Sequence, residues 1–442
     1  MTEILQTPAE WPRILLPDKP EKKPADAVAF PGLRKAFREL GPATIDLMAE
    51  AGLRGLGGGG FPVAGKWRAA ASVEGAAARY VVANGYGADP ASQTDRTLME
   101  RRPHAVVEGA AIAAAAIGAE DAIIAVRAEA TEAVEKLQAI VAAAYDAGTL
   151  GPDVFGSGRR LDVEVRTVQG AYLLGEETIL IKALEGKRGQ PEQRPPHPTT
   201  DGLWGMPTVV QNVQTLAAAA WIVEHGAKAY RATGAEGTPG TILVQVRGEE
   251  RSGVAEVPFG TPLRDIAKLG GAPARGHSVK AVIVGGPSGG VLPAEMLAAP
   301  FTFESLRGLG AHVGSGSVIV ADDRACVVDL ARLLTRYCAD EACGKTIPCR
   351  IGTRRLAEVG ERLAAGTSRA DDLQLATDLS ADIVGSGLCG HERLATLPLM
   401  TGLRYFRAEI DAHLERGECP AGVCRPIALG VPATAPAAGA TA

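Results

Sequence analysis

Four consecutive glycines, Gly57 to Gly60, sit inside the run Gly55-Leu-Gly-Gly-Gly-Gly-Phe-Pro62, and no other stretch restricts the fold of this chain so tightly. Without Cβ atoms, successive backbone N–H groups can converge on a phosphate or lie flat against a ring. Lys66, close behind between Gly65 and Trp67, brings a point charge suited to that phosphate. A glycine run can also be a flexible linker. A linker has no reason to end in Phe61-Pro62 with Lys66-Trp67 following, so the run is read as a cofactor loop.

The sequence around the loop alternates strands and helices from about Gly41 to Ala235. Strands are predicted over Tyr80–Asn84, Asp121–Arg127 and Leu161–Val168. Helices are predicted over His104–Ala119, Thr131–Ala147 and Glu176–Glu185. Such alternation implies a parallel sheet with helices on its faces. From Gly240 to Val320 the texture is that of a compact α+β unit, with strands at Thr241–Arg247, Gly253–Pro258 and Lys280–Gly285 and a short helix near Pro262–Leu269. After Cys326 helical periodicity takes over, at Val327–Tyr337, Thr353–Ala365, Ala370–Val384 and Leu397–Leu414.

A chain of 442 residues is too long for one ordinary core and divides into two to four domains. The formal net charge of −5, without a basic block, gives no sign of a nucleic-acid partner. The longest apolar stretch, Ala110 to Ile117, falls well short of the roughly 20 residues that span a bilayer. The N-terminus lacks the basic-then-apolar order of a signal peptide. The expectation is a cytoplasmic protein, or one peripheral to a membrane complex. In that compartment seven cysteines point to metal or redox chemistry rather than to disulfides, and four of them lie between Cys338 and Cys389.

A second motif, Gly170-Ala-Tyr-Leu-Leu-Gly175-Glu176-Glu177-Thr178, opens a helix with two acids in its first turn, which suits the helix dipole by itself. The blocks Gly52 to Pro62, Gly175 to Thr178, Leu184 to Pro191, Gly202 to Leu216, Cys343 to Gly352, Leu403 to Arg407 and Cys419 to Cys424 occur in this order. Together they resemble the flavin-bearing, NADH-oxidising subunit of respiratory complex I, a family with relatives in NAD-reducing hydrogenases and NAD-dependent formate dehydrogenases. The resemblance covers roughly residues 40 to 425.

It implies an α/β chain with a Rossmann-like domain for FMN and NADH (31–238), a ubiquitin-like β-grasp domain (239–324) and a helical iron–sulfur domain (325–426); composition adds a proline- and charge-rich N-terminal arm (1–30) and a disordered Pro-, Ala- and Thr-rich tail (427–442). It further implies that Gly55, Gly57, Gly58, Gly60, Lys66, Asn84, Asp89, Gly175, Glu176 and Asn212 line the flavin. Phe61 would stack on the nucleotide, with Arg194, His197 and Glu177 beside it, Glu177 being the candidate catalytic carboxylate. Cys343, Cys349 and Cys389 would hold a 4Fe-4S or 3Fe-4S cluster. Electrons would leave for other redox subunits of a complex, commonly a thioredoxin-like 2Fe-2S protein.

The chain departs from the family pattern at several points. The acidic segment that usually follows the strand ending at Asn84 reads Gly85-Tyr86-Gly87-Ala88-Asp89, which makes flavin reduction easier by removing negative charge nearby. Leu56, Leu174, Arg194, His197 and Gln211 are also unusual, and the added guanidinium of Arg194 would tolerate a 2′-phosphate on the nucleotide. Thr346 stands where the family has the second cysteine of Cys-x2-Cys-x2-Cys. Three cysteines with an oxygen-ligated iron, recruitment of Cys338, and loss of the cluster all remain open. So do two other readings of the whole chain: a degenerate, non-catalytic paralogue acting as scaffold, and a flavin protein using a donor other than NADH.

Overall fold

The computed structural model describes residues 2–17 and 28–424; the tail expected over 427–442 lies outside the described residues. Strands β1 (Tyr80–Gly85), β2 (Asp121–Arg127), β3 (Asp162–Val168) and β4 (Thr208–Asn212) form one parallel sheet in the order β3-β2-β1-β4. The five central residues of β2, Ala122 to Val126, are all buried, as a strand covered on both faces requires. The abundance of alanine and glycine is explained where the helices Pro103–Ile117 and Val213–His225 meet. A Cβ on Gly109 would stand 2.1 Å from the Leu216 carbonyl oxygen, so the two backbones approach as only small residues allow.

Consecutive connections from β1 to β3 build the sheet in one direction, whereas β4 adds on the other side of β1. In open parallel sheets this change of direction leaves a crevice beyond the carboxyl ends of the two strands, where ligands bind. Asn84 on β1 pairs in register with Asn212 on β4, so both side chains stand at that crevice. The segment from Pro207 to Leu216, which carried no element assignment from sequence, supplies both β4 and the helix behind it. Five strand residues give too little periodicity to be seen, and Asn212 ends them by capping the helix, its Oδ1 accepting the Gln214 N–H at 2.8 Å.

After a small hairpin of β5 (Gly234–Ala235) and β6 (Thr238–Pro239), a second sheet contains β7 (Thr241–Arg247), β8 (Ser252–Pro258), β9 (Val279–Val284), β10 (Gly290–Pro293) and β11 (Ser317–Asp322). Its order is β10-β9-β11-β7-β8, with β11 and β7 parallel and the other pairs antiparallel. β10 and β11, flanked by glycine- and serine-rich sequence, carried no element assignment from sequence. The described part of the N-terminal arm is laid against this sheet: Ile4 bridges Val254, and the N–H groups of Ile14, Leu15 and Leu16 donate to the buried Glu256 carboxylate at 2.6–2.8 Å.

Helices follow at Val327–Asp340, Thr353–Ala365 and Asp372–Ser386. The single helix expected over Leu397–Leu414 is two, Leu397–Tyr405 and Arg407–Glu415, broken at Phe406, whose ring packs on Ala281, Ile283 and Val291 of the second sheet. No helix among the described residues is long and apolar enough to cross a membrane.

Candidate functional site

The glycine loop closes on itself, the Gly55 N–H donating to the Phe61 carbonyl at 2.9 Å and the Gly60 N–H to the Gly55 carbonyl at 3.1 Å. Its glycines differ in purpose. Gly58 and Gly60 have φ of 97° and 62°, a region that favours glycine, and a Cβ on either would strike the second unit: the Gly314 carbonyl at 2.8 Å and the Phe303 ring at 2.7 Å. Gly57 is pressed to Asn212, a Cβ there falling 3.0 Å from the Asn212 Cβ. Gly59, absent from the sequence-based candidates, faces open space with no atom within 4 Å of the Cβ position. Phe61 at the loop's end is 59 % exposed, an uncommon state for a large apolar ring and a suitable one for stacking.

Lys66 lies on the helix Val63–Ala71 that follows the loop. Its Nζ donates to Glu177 Oε2 at 2.6 Å and to the Val210 carbonyl at 3.2 Å. Glu177 begins the helix Glu177–Leu184, for which Glu176 is the cap: Glu176 Oε2 accepts the N–H groups of Thr178 at 2.8 Å and Ile179 at 3.0 Å. Arg194 reaches both acids through Nη2, which lies 3.0 Å from Glu177 Oε1, so the pair of glutamates orients its guanidinium. Burial alone would raise the Glu177 carboxyl, but Lys66 foremost, then Arg194 and the exposed His197, hold it below the usual carboxylate range. The result is an ionised, half-buried carboxylate between two cations.

Asn84 Nδ2 donates to the Gly175 carbonyl at 3.1 Å, tying the end of β1 to the turn before Glu176. Asn212 Nδ2 donates to Asp95 Oδ2 at 2.8 Å, and Gln214 Nε2 to Asp95 Oδ1 at the same distance; no sequence signal marked Asp95. Burial pushes the Asp95 carboxyl up, with these two amides partly offsetting it. Gln211, 6 % exposed and beside Gly55, holds a buried Oε1 that meets no donor among the described residues. An unpaired polar atom beside a loop with an open glycine fits a polar ligand at that place.

Asp89 stands apart from this group. It is 5 % exposed, and its Oδ2 accepts the hydroxyls of Ser315 and, at 2.7 Å, Ser317, so it clamps the parallel-sheet unit to the second sheet. Tyr86, where the family has an acid, is buried with its hydroxyl on the Gly170 carbonyl and its ring under the Arg127 guanidinium at 4.4 Å.

Cys343, Cys349 and Cys389 come together at the edge of this site, close enough for their charges to act on one another. Cys343 packs against the cluster containing Leu173, Leu174 and Ile179, and Cys389 feels the charge of Glu176. Lys345 caps the join by donating to the Pro191 carbonyl. Thr346 donates its hydroxyl to Glu392 Oε1 at 2.7 Å, and Glu392, 1 % exposed, takes the Leu388 N–H at 2.7 Å on its other oxygen. Burial, then Glu392, pushes the Cys349 thiol up to about 12. Cys338 is fully buried on its helix with Sγ 3.5 Å from the Pro287 carbonyl.

Residues 48–221 match the Nuo51 FMN-binding domain family, and residues 329–413 match the iron–sulfur binding region of NADH-ubiquinone oxidoreductase-F. The chain is 39 % identical to the F 2 subunit of NADH-quinone oxidoreductase of Rhizobium meliloti (strain 1021), over 88 % of this chain and 93 % of that one. It is 38 % identical to HndC, a subunit of the NADP-reducing hydrogenase of Solidesulfovibrio fructosivorans, over 89 % and 81 % of the two chains. Among solved structures, an NAD+-reducing NiFe-hydrogenase in the H2-reduced state is similar with a TM-score of 0.82 and 34 % identity, covering 94 % of this chain and 68 % of that one.

Proposed function

Since the chain belongs to the family of FMN-binding, NADH-oxidising F subunits of NADH-quinone oxidoreductase, we propose that the crevice between β1 and β4 is its flavin and nucleotide site and that the adjoining cysteines receive the electrons. The observation that carries this reading is the convergence of four sequence-distant pieces on one crevice: the open Gly59, the Lys66–Glu177–Arg194 set, Asn84 bonded to Gly175, and Asn212 with the unpaired Gln211.

FMN, when bound, accepts a hydride from reduced nicotinamide and releases electrons singly to iron–sulfur acceptors. The residues of this chain bind and orient. Lys66 offers a cation to a phosphate without leaving Glu177. The loop N–H groups approach where Gly59 leaves room, and Phe61 presents its face for stacking on the nucleotide. Glu177, ionised at neutral pH, orients polar groups of the nucleotide rather than exchanging a proton.

Three thiolates and the Thr346–Glu392 pair suit a cluster with one iron on oxygen better than loss of the cluster, because a buried carboxylate beside three thiols is costly without a cation. The five-stranded sheet with its helix Leu263–Lys268 supports a β-grasp reading of residues 239–324, between a nucleotide domain at 31–238 and a helical iron–sulfur domain at 325–426. We assign the chain to a cytoplasmic, multi-subunit assembly in which a thioredoxin-like 2Fe-2S protein is the next carrier.

The test is an anaerobic titration of the purified chain reconstituted with FMN. Bleaching of the flavin band by NADH is the expected result. A protein that binds no FMN would support a scaffold role, and a yellow protein bleached by neither NADH nor NADPH would support another donor.

A further inference from the structure

Three side chains at the end of β4 close into a ring of hydrogen bonds. Asp95 Oδ2 accepts from Asn212 Nδ2 and Asp95 Oδ1 from Gln214 Nε2, each at 2.8 Å. Asn212 Oδ1 accepts the Gln214 N–H, also at 2.8 Å, which completes the ring. We propose that Asp95 is a positioning residue for the flavin. It fixes the Asn212 amide so that a free N–H faces the ligand, and its charge sets how readily the bound flavin is reduced. This role rests on the reading of the crevice between β1 and β4 as the flavin site.

A side-chain amide can present its oxygen or its nitrogen in a given direction, and its hydrogen bonds decide which. Both ends of the Asn212 amide are tied, the oxygen by the helix cap and the nitrogen by Asp95. The second hydrogen on Nδ2 meets no acceptor among the described residues. That nitrogen lies 3.6 Å from the position of a Cβ on Gly57, so the free N–H stands at the glycine loop. Asn84, paired in register with Asn212, is built the same way. Its Oδ1 accepts the Tyr86 N–H at 3.2 Å and its Nδ2 donates to the Gly175 carbonyl at 3.1 Å. Two strand ends thus bring amide donors to the crevice, one anchored on a carbonyl and the other on a carboxylate.

The carboxylate has a specific reason to be there. Among groups of this size it alone accepts on both oxygens without bringing a donor. Gln214 is 2 % exposed and cannot reverse, because its Oε1 accepts the Leu243 N–H of β7 at 3.0 Å. An amide at position 95 would therefore give its oxygen to Gln214 and turn its NH2 on Asn212 Nδ2, donor against donor. No lysine or arginine pairs with Asp95 among the described residues, and the adjacent Arg96 is turned to Glu100 at 2.6 Å. The charge of Asp95 is held by two neutral amides alone. A negative charge near a ring that gains electrons opposes its reduction.

The full chain reconstituted with FMN tests this by three measurements: FMN affinity from flavin fluorescence, midpoint potential from anaerobic dye-coupled titration, and melting temperature. Asp95→Asn should weaken FMN by about tenfold through the misdirected donor. It should also favour reduced flavin by about tenfold, a rise of about 30 mV for a two-electron couple. Its melting temperature should fall, since two donors oppose each other. Combining Asp95→Asn with Asn212→Asp exchanges donor and acceptor and closes the ring again, so the melting temperature should return close to that of the parent. FMN affinity should stay low in the double variant, because an acceptor now faces the crevice. Parent affinity and potential in Asp95→Asn would overturn the proposal. So would parent affinity in the double variant, or a double variant no more stable than Asp95→Asn. A parent chain that takes up no FMN would overturn the flavin reading and this role together, whereas the other adverse results, beside a parent that binds FMN, would overturn this role alone.

Discussion

Thr346 and Glu392 are joined by a 2.7 Å hydrogen bond at the place where the family has a cluster cysteine. The hydroxyl has a buried carboxylate behind it, and that same Glu392 acts on both Cys349 and Cys389. Thr346→Cys should restore a fourth thiolate and change the electron paramagnetic resonance spectrum of the reduced protein, with no loss of iron. Glu392→Ala should lower iron content. It should also lower thermal stability by about 1–3 kcal/mol, because the Leu388 N–H and the Thr346 hydroxyl lose their buried acceptor. An unchanged spectrum in Thr346→Cys would show that this position does not face the cluster.

The loop glycines predict a split outcome. Gly60→Ala places a methyl against the Phe303 ring at a φ that L residues avoid, so both folding stability and FMN binding should fall. Gly59→Val starts from a Cβ position with no protein atom within 4 Å, and should leave the melting temperature within a degree or two of the parent while weakening FMN by tenfold or more. Flavin fluorescence titration beside calorimetry separates the two effects, and equal FMN affinity in Gly59→Val would place the ligand elsewhere.

Lys66→Met should weaken FMN at least tenfold, about 1.4 kcal/mol, by removing a cation from a water-poor site. It should also raise the Glu177 carboxyl, since Lys66 is the leading influence that lowers it. The sign follows from linkage. A depressed folded-state pKa contributes stability above the unfolded value of 4.5 that is lost as the pH falls through the depressed value. Acid unfolding of the parent should therefore be steeper at the low-pH end than that of Lys66→Met, as read by circular dichroism.

Glu108 works in the opposite sense. Its Oε1 accepts the Leu33 N–H at 3.0 Å, and burial raises its carboxyl from 4.5 to about 7. The folded state then holds a proton the unfolded chain releases, so stability is fully present below pH 4.5 and lost as the pH rises through about 7. The contribution is on the order of 3 kcal/mol. Glu108→Gln, which keeps the acceptor and cannot ionise, should flatten the fall in melting temperature between pH 4.5 and about 7, the window of that titration. A parent profile already flat there would contradict the assignment.

Much of the architecture was legible from the chain itself because its causes are local. The predicted strand Asp121–Arg127 is β2 residue for residue, since a run buried on both faces is nearly continuous apolar sequence. The glycine loop and the Gly175-Glu-Glu-Thr178 turn were legible as motifs because their backbone shape depends on residue type alone. β4 and β10 were not, being only five and four residues long, and the Val318-Ile319-Val320 run of β11 is obscured by the glycines and serines before it. Nor was the break at Phe406, where an apparently continuous helix divides and the side chain packs against the cluster containing Ala281, Ile283 and Val291.

Within the candidate site, residue identity marked the loop glycines, Lys66 and the paired glutamates as candidates for holding a cofactor. Only tertiary structure decided which did what. It turned Asp89 away to a pair of serines, engaged Arg194 with two glutamates, left Gly59 rather than Gly60 facing open space, and placed Glu392 behind Thr346 from 46 positions away. The same holds for Asp95, which meets Asn212 and Gln214 only in the folded chain. Local geometry is written in residue type and period, but a contact between distant residues exists only once sheets and helices have packed, and the chemistry of this chain depends on such contacts.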